Sequence, residues 1–167
     1  MPRSTRRPST EDLIAECARQ EEELQFTQFR NSDALALGLA ILQRAQNEGK
    51  AVAVDIERHG QQLFHHGMEG TAPDNDEWIR RKNRLVNRVG MSSYRFTLKL
   101  EASGETMANR ALDPLLYANS GGAFPIRIRN AGVIGTVTAS GLPHEQDHAL
   151  VVAGIRDFLA AQNPAKR

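Results

Sequence analysis

Residues 121–159 read GGAFPIRIRNAGVIGTVTASGLPHEQDHALVVAGIRDFL, and the order of signals in them decides the fold class: strand, tight turn, strand, glycine–proline turn, helix. Phe124, Ile126 and Ile128 alternate with Pro125, Arg127 and Arg129; Val133, Gly135, Val137 and Ala139 alternate with Ile134, Thr136, Thr138 and Ser140. An alternation of this kind gives each strand two distinct faces. A two-residue turn at Asn130-Ala131 pairs Ile128 with Val133, Ile126 with Gly135 and Phe124 with Val137, which gathers the apolar side chains on one face. A three-residue turn would set arginine beside valine.

The opposite face carries Arg127, Arg129, Thr136, Thr138 and Ser140. Hydroxyls beside two guanidinium groups can receive a carboxylate or phosphate. The same residues suit a solvated sheet face or a subunit interface, because threonine favours strands in any case. Gly135 falls mid-strand on the apolar face, where a missing side chain leaves room for a helix or a ligand. Pro143 suits the first position of the helix that follows, and Glu145 and Asp147 favour its dipole. His144, His148, Val151, Val152, Ile155 and Leu159 form one helical stripe, so both imidazoles face the sheet at its open end. Their i, i+4 spacing is compatible with metal binding, and helix-start hydrogen bonding is the commoner role for such residues.

A chain of 167 residues with net charge +1 makes one domain with a real core and gives no electrostatic case for nucleic-acid binding. Its single cysteine, Cys17, excludes an internal disulfide and points to a reducing, cytoplasmic compartment; it reads as a buried spacer on an apolar stripe. The longest apolar run, residues 34–42, falls well short of a membrane span. Residues 1–8 and 163–167 read as disordered tails, which leaves the domain at 9–162.

Ser9-Thr10-Glu11-Asp12 is a capped helix start, and Leu24-Gln25-Phe26 is either the helix exit or a short strand. Asn31-Ser32-Asp33 opens a second helix that runs to about Asn47 and stops at Gly49. Its residues 34–42 are apolar on every side and need cover on every side. The sheet supplies one cover and a neighbouring subunit the other, so a homo-oligomer is expected. Residues 51–57 and 61–66 form a hairpin. A two-residue loop at His59-Gly60 pairs Val54 with His65, and a three-residue loop pairs His65 with Ala53. In either register His65 and His66 point to opposite faces. Asp74 and Glu77 cap a helix from Asn75 to about Val89, with Trp78, Ile79, Lys82, Leu85, Val86 and Val89 on its inner stripe. Lys82 sits among Arg80, Arg81, Arg84 and Arg88, either snorkelling from a basic face or clamping an anionic ligand group. The segment lacks the aromatic platform of a single-strand binder. Residues 92–103 read as a helix started by Ser92-Ser93, although Phe96, Leu98 and Leu100 alternate as in a strand.

Three strings carry a wider resemblance: DNDEWIRRKN at 74–83, GGAFPI at 121–126 and SGLPHEQDHAL at 140–150. With the hairpin between them, the chain resembles the GlcG/HbpS-like haem-degrading-domain superfamily, and within it a branch found in bacteria and fungi, over about residues 25–159. The resemblance implies an α/β (α+β) fold, a profilin-like or PAS-like sandwich with an antiparallel sheet of about five strands and helices on its faces. It also implies homo-oligomers, and members that bind haem or iron. A histidine, His144 or His148, would ligate iron, with the arginines near Lys82 meeting the propionates. No paired nucleophile and base and no complete metal triad is legible. A haem-binding or small-anion-binding accessory or sensor protein therefore leads. A haem-degrading oxidoreductase and a non-catalytic protein-interaction module stand as the alternatives.

Overall fold

The computed structural model describes residues 7–162. The tail expected at 163–167 and all but the last two residues of the one expected at 1–8 lie outside the described residues. The chain runs α1 (Thr10–Glu23), α2 (Asn31–Asn47), β1 (Ala53–Arg58), β2 (Gln61–Gly67), α3 (Pro73–Val89), α4 (Ser93–Ser103), a single 3-10 turn (Ala108–Arg110), β3 (Ala123–Ile128), β4 (Gly132–Ser140) and α5 (His144–Gln162). The sheet is antiparallel throughout, in the order β2-β1-β4-β3. It has four strands where about five were expected. The remaining edge position is taken by Phe26 alone, bridged in parallel to Ile128. Its N–H donates to the Arg127 carbonyl at 2.8 Å, and its carbonyl accepts from Arg129 at 2.9 Å.

Apolar patterning decides the layers. Val54, Ile56, Phe124, Ile126, Val137 and Ala139 project to one face and meet α2 and α5 in the main core. Gly38 lets α2 approach β2, since a Cβ there would lie 2.4 Å from the Phe64 ring. The other face is covered by α3, and α1 packs on α4 at its edge. Buried Glu21 joins those two helices, accepting from the Ser92 N–H at 2.8 Å and pairing with Arg95 at 2.7 Å.

Helix starts follow their caps. Ser9 and Asp12 cap α1 reciprocally. The Ser92 hydroxyl accepts from Arg95 N–H, which resolves residues 92–103 as helix despite their alternation. In α3 the start moves to Pro73: Asn75 accepts the Ala72 N–H at 2.9 Å, and proline is pre-organised for the first helical turn. Asp74 and Glu77 are not the cap.

Both hairpins contain a bulge that alternation conceals. The β1–β2 turn has its two residues at His59-Gly60, both with positive φ (52° and 79°), as a right-twisted hairpin requires. Leu63 is then an extra residue between the pairs Ile56–Phe64 and Glu57–Gln62. Val54 therefore faces His66 and Asp55 faces His65, in neither expected register. In β3–β4, Phe124 meets Val137 and Ile126 meets Gly135 as expected, but Ile128 meets Gly132. The turn has three residues, and a bulge at Ile134 restores the phase. Gly135 is required by the neighbouring strand, not by a helix or a ligand: a Cβ there would sit 2.0 Å from the Glu57 carbonyl oxygen.

Ala34, Leu37, Ile41 and Ala45 of α2 are buried, while Leu35 and Leu39 stay 53% and 54% exposed. One side of the all-apolar helix is thus uncovered in the single chain.

Candidate functional site

The three strings that carry the family resemblance converge on one point at the end of the sheet. Lys82 comes from the first, Gly122 from the second and Asp147 from the third. The inner stripe of α3 carries Lys82 under the sheet, where its Nζ donates to the Ala139 carbonyl at 3.0 Å and to Asp147 Oδ2 at 3.1 Å. Both side chains are only 2% exposed. Gly122, at φ 125°, makes the space: a Cβ there would come within 2.7 Å of Lys82 Nζ. The other Asp147 oxygen accepts from the Leu142 N–H at 3.1 Å and closes the turn into α5.

Burial dominates the electrostatics of the pair. Desolvation pushes the Lys82 ammonium down, against the pull of Asp147. It pushes the Asp147 carboxyl up, against the pull of Lys82. Above them lies a hollow of about 260 Å³ bordered by Asp74, Asn75, Trp78, Ser120 and Ser140. A carboxylate entering it meets a lysine whose charge Asp147 already balances.

The other residues singled out from the sequence are dispersed. Thr136 and Thr138 are fully buried beneath α3, so the hydroxyl row is roofed by the helix. Thr138 donates to Asn83 at 2.5 Å and Asn83 to Asp55 at 3.0 Å. The Thr136 hydroxyl has no partner. The Arg127 guanidinium donates to the Gly90 carbonyl at 2.8 Å, at the end of α3. These three are not brought to the Lys82 hollow.

His144 and His148 flank Tyr94, at ring separations of 5.3 and 5.0 Å, but their nitrogens diverge. His144 Nδ1 accepts from the Gly121 N–H at 3.3 Å, and Nε2 faces Glu145 at 3.4 Å. His148 is buried, with Nε2 at 2.8 Å from Gln20 Oε1 and 3.8 Å from Cys17 Sγ. Among the described residues, no group of three or more His, Cys, Asp or Glu side chains is placed to hold a metal ion. His65 is engaged elsewhere, between Asp55 at 3.1 Å and Asp76 at 3.2 Å.

Burial pushes the Cys17 thiol up to about 12. The thiolate is the reactive form. Cys17 is therefore expected to ignore a thiol reagent in mildly alkaline native buffer and to react fully once guanidinium unfolds the chain. Fast labelling of the native protein would contradict this burial.

A second concavity lies between α2 and the end of β2. It encloses about 740 Å³ beside Leu39 and Leu42, with His66, Met68 and Lys50 on its walls. The bulge at Leu63 sets His66 opposite Val54 and so on the α2 side; of the two registers open to a period-two reading, only the three-residue loop puts it on that face.

The sequence profile of a family described as "Haem degrading protein HbpS-like" matches residues 29–156. A UPF0303 protein of Streptomyces coelicolor is 46% identical over 90% of this chain and 96% of its own length. One from Edwardsiella ictaluri is 45% identical over 90% and 97%. Among solved structures, the Ybr137w protein superposes with a TM-score of 0.81 at 31% identity, over 87% of each chain. A structure described as a PduOC:heme complex superposes with a TM-score of 0.65 at 21% identity, over 77% of this chain and 93% of that one. At that identity the second likeness shows the fold alone. No helix among the described residues is long and apolar enough to cross a membrane.

Proposed function

Because the chain belongs to the HbpS-like family of haem-degrading proteins, we propose that it is a homo-oligomeric accessory or sensor protein that binds haem without consuming it. The observation that carries this reading is the α2–β2 slot. Its volume of about 740 Å³ lies inside the range of roughly 300–1,000 Å³ typical of ligand sites, and leucine and methionine supply apolar walls.

Lys82, His144 and His148 fit a macrocycle less well. The hollow over Lys82 holds about 260 Å³, room for a carboxylate-sized group. His148 is committed to Gln20, and the ring of His144 is held between Gly121 and Glu145. A small acid at Lys82 is the second reading, supported by the convergence of the three strings there. Bound haem would supply an iron centre responsive to redox state and diatomic ligands.

Titration with ferric hemin, followed through its main absorption band, tests the reading. A saturable shift at one equivalent per chain is expected. The band should persist under ascorbate and oxygen when catalase and superoxide dismutase are present. No shift would sink haem binding; steady band loss would make the protein a haem-degrading enzyme. Exposed Leu35, outside the slot, supports burial against a second copy. Light scattering is expected to give an oligomer that Leu35→Glu weakens.

A further inference from the structure

We infer that His66 would supply the protein ligand to haem iron in the α2–β2 slot, with Lys50 at the rim meeting a propionate. The inference rests on the haem-binding reading above and gives it an address in the fold.

The first argument is direction. The pair Val54–His66 and the packing of Phe64 against Gly38 put these β2 side chains on the α2 side of the sheet. His66 therefore enters a wall made with Leu39 and Leu42. The second is availability. His65 is held by Asp55 and Asp76, His144 by Gly121 and Glu145, and His148 by Gln20. Among the described residues, no hydrogen bond or ion pair engages the His66 ring. His59 is also unengaged, but it sits on the hairpin turn at the far end of β1 and β2. An imidazole without a protein partner is available to haem iron, and this one stands beside Leu39, Leu42 and Met68 in a concavity of about 740 Å³.

The third argument is the rim. Lys50, paired at present with Glu48 at 2.6 Å, and the amides of Gln43 and Gln46 line one edge; Glu69 is the opposing charge. A propionate at Lys50 would exchange one carboxylate partner for another at a half-exposed site, at small electrostatic cost. Met68, on the same wall, offers a polarizable thioether against the ring.

Wild type, His66→Gly, His144→Ala and Leu39→Arg are each titrated with ferric hemin at full length, with absorption and electron paramagnetic resonance as readouts. His66 is exposed, so circular dichroism should show His66→Gly folded. Its hemin affinity is expected to fall about tenfold or more with a change of iron spin state. Added free imidazole should restore the wild-type spectrum by occupying the vacated position. His144→Ala should match wild type, and Leu39→Arg should block uptake. Hemin bound by His66→Gly with a wild-type spectrum overturns the ligand assignment and leaves haem binding intact. So does loss of the axial signal in His144→Ala instead. A wild type that takes up no hemin overturns both.

Discussion

Replacing Lys82 by methionine is expected to lower the stability of the domain by about 3–5 kcal/mol, the range for removing one partner of a buried ion pair. Methionine keeps most of the stem and its packing against α3 neighbours. It strands the Asp147 carboxylate, which is 2% exposed, with no cation beside it and only backbone N–H groups of the turn into α5, those of Gly141 and Leu142, to bond. It also leaves the Ala139 carbonyl without the donor it has now. For a domain of this size the loss corresponds to roughly 10 °C in Tm. Lys82→Met combined with Asp147→Asn should recover most of it. The asparagine still accepts from Leu142 and carries no charge into the interior, and a buried ion pair is itself close to neutral in net worth. Melting curves of the single and double variants decide the matter. A double variant no more stable than Lys82→Met would show that the carboxylate is not what makes the single change costly. A Lys82→Met protein that melts like wild type would show that the pair does not hold α3, β4 and α5 together at all.

The same residues mark what sequence could and could not deliver. The layer structure was legible because it rests on periodicity and caps: the Phe124–Ile126 and Gly135-to-Ala139 alternations, the stripe of α5, and the start of α1 at Ser9 all describe local geometry. Strand registers were only half legible. A bulge such as that at Leu63 or Ile134 costs one residue of phase and leaves no compositional trace, so every inference from register beyond it changes face. His66 is the clearest case, since a slip of one position exchanges its surroundings with those of His65. The covering of the hydroxyl row was illegible for a different reason. Threonines beneath a helix and threonines facing water have the same pattern, and the partner that distinguishes them, Asn83 on α3, lies 55 residues away in sequence. Sequence leaves Lys82 between a snorkelling base and an anion clamp because its counter-ion is as remote, on another helix. The clue that sequence did hold was convergence. Strings that are long and specific in three separate segments are most simply explained by one shared location, and Lys82, Gly122 and Asp147 occupy it.

Acidification from pH 7 to pH 4 is expected to cost the fold about 3 kcal/mol through His148 alone. The ring lies among Cys17, Gln20, Tyr94 and Phe124. Its Nε2–H donates to Gln20 Oε1, so Nδ1 carries the lone pair, and Nδ1 is buried without a partner. A second proton would have no acceptor and would be desolvated. Burial accordingly takes the imidazole from the ordinary 6.5 to about 4, with the neighbouring charge of His144 in the same direction and Glu16 opposing. The unfolded chain takes up its proton near pH 6.5 and the folded chain only near 4. Between those values the unfolded state holds more protons, so stability rises with pH across the window and is lost as pH falls through it. At about 1.4 kcal/mol for each unit of difference, the window supplies the figure given. Asp147 works the other way: its raised carboxyl pKa means that the folded state gains the proton first, which favours the fold in acid. Comparison with His148→Leu separates the two. The variant begins less stable at neutral pH, because Gln20 loses its donor, but its stability should change much less between pH 6.5 and 4 than that of wild type. Denaturant melts at half-unit steps of pH measure both slopes. Parallel curves would mean that His148 accepts its proton in the folded state as readily as in the unfolded one, and that the pocket around it is open to water.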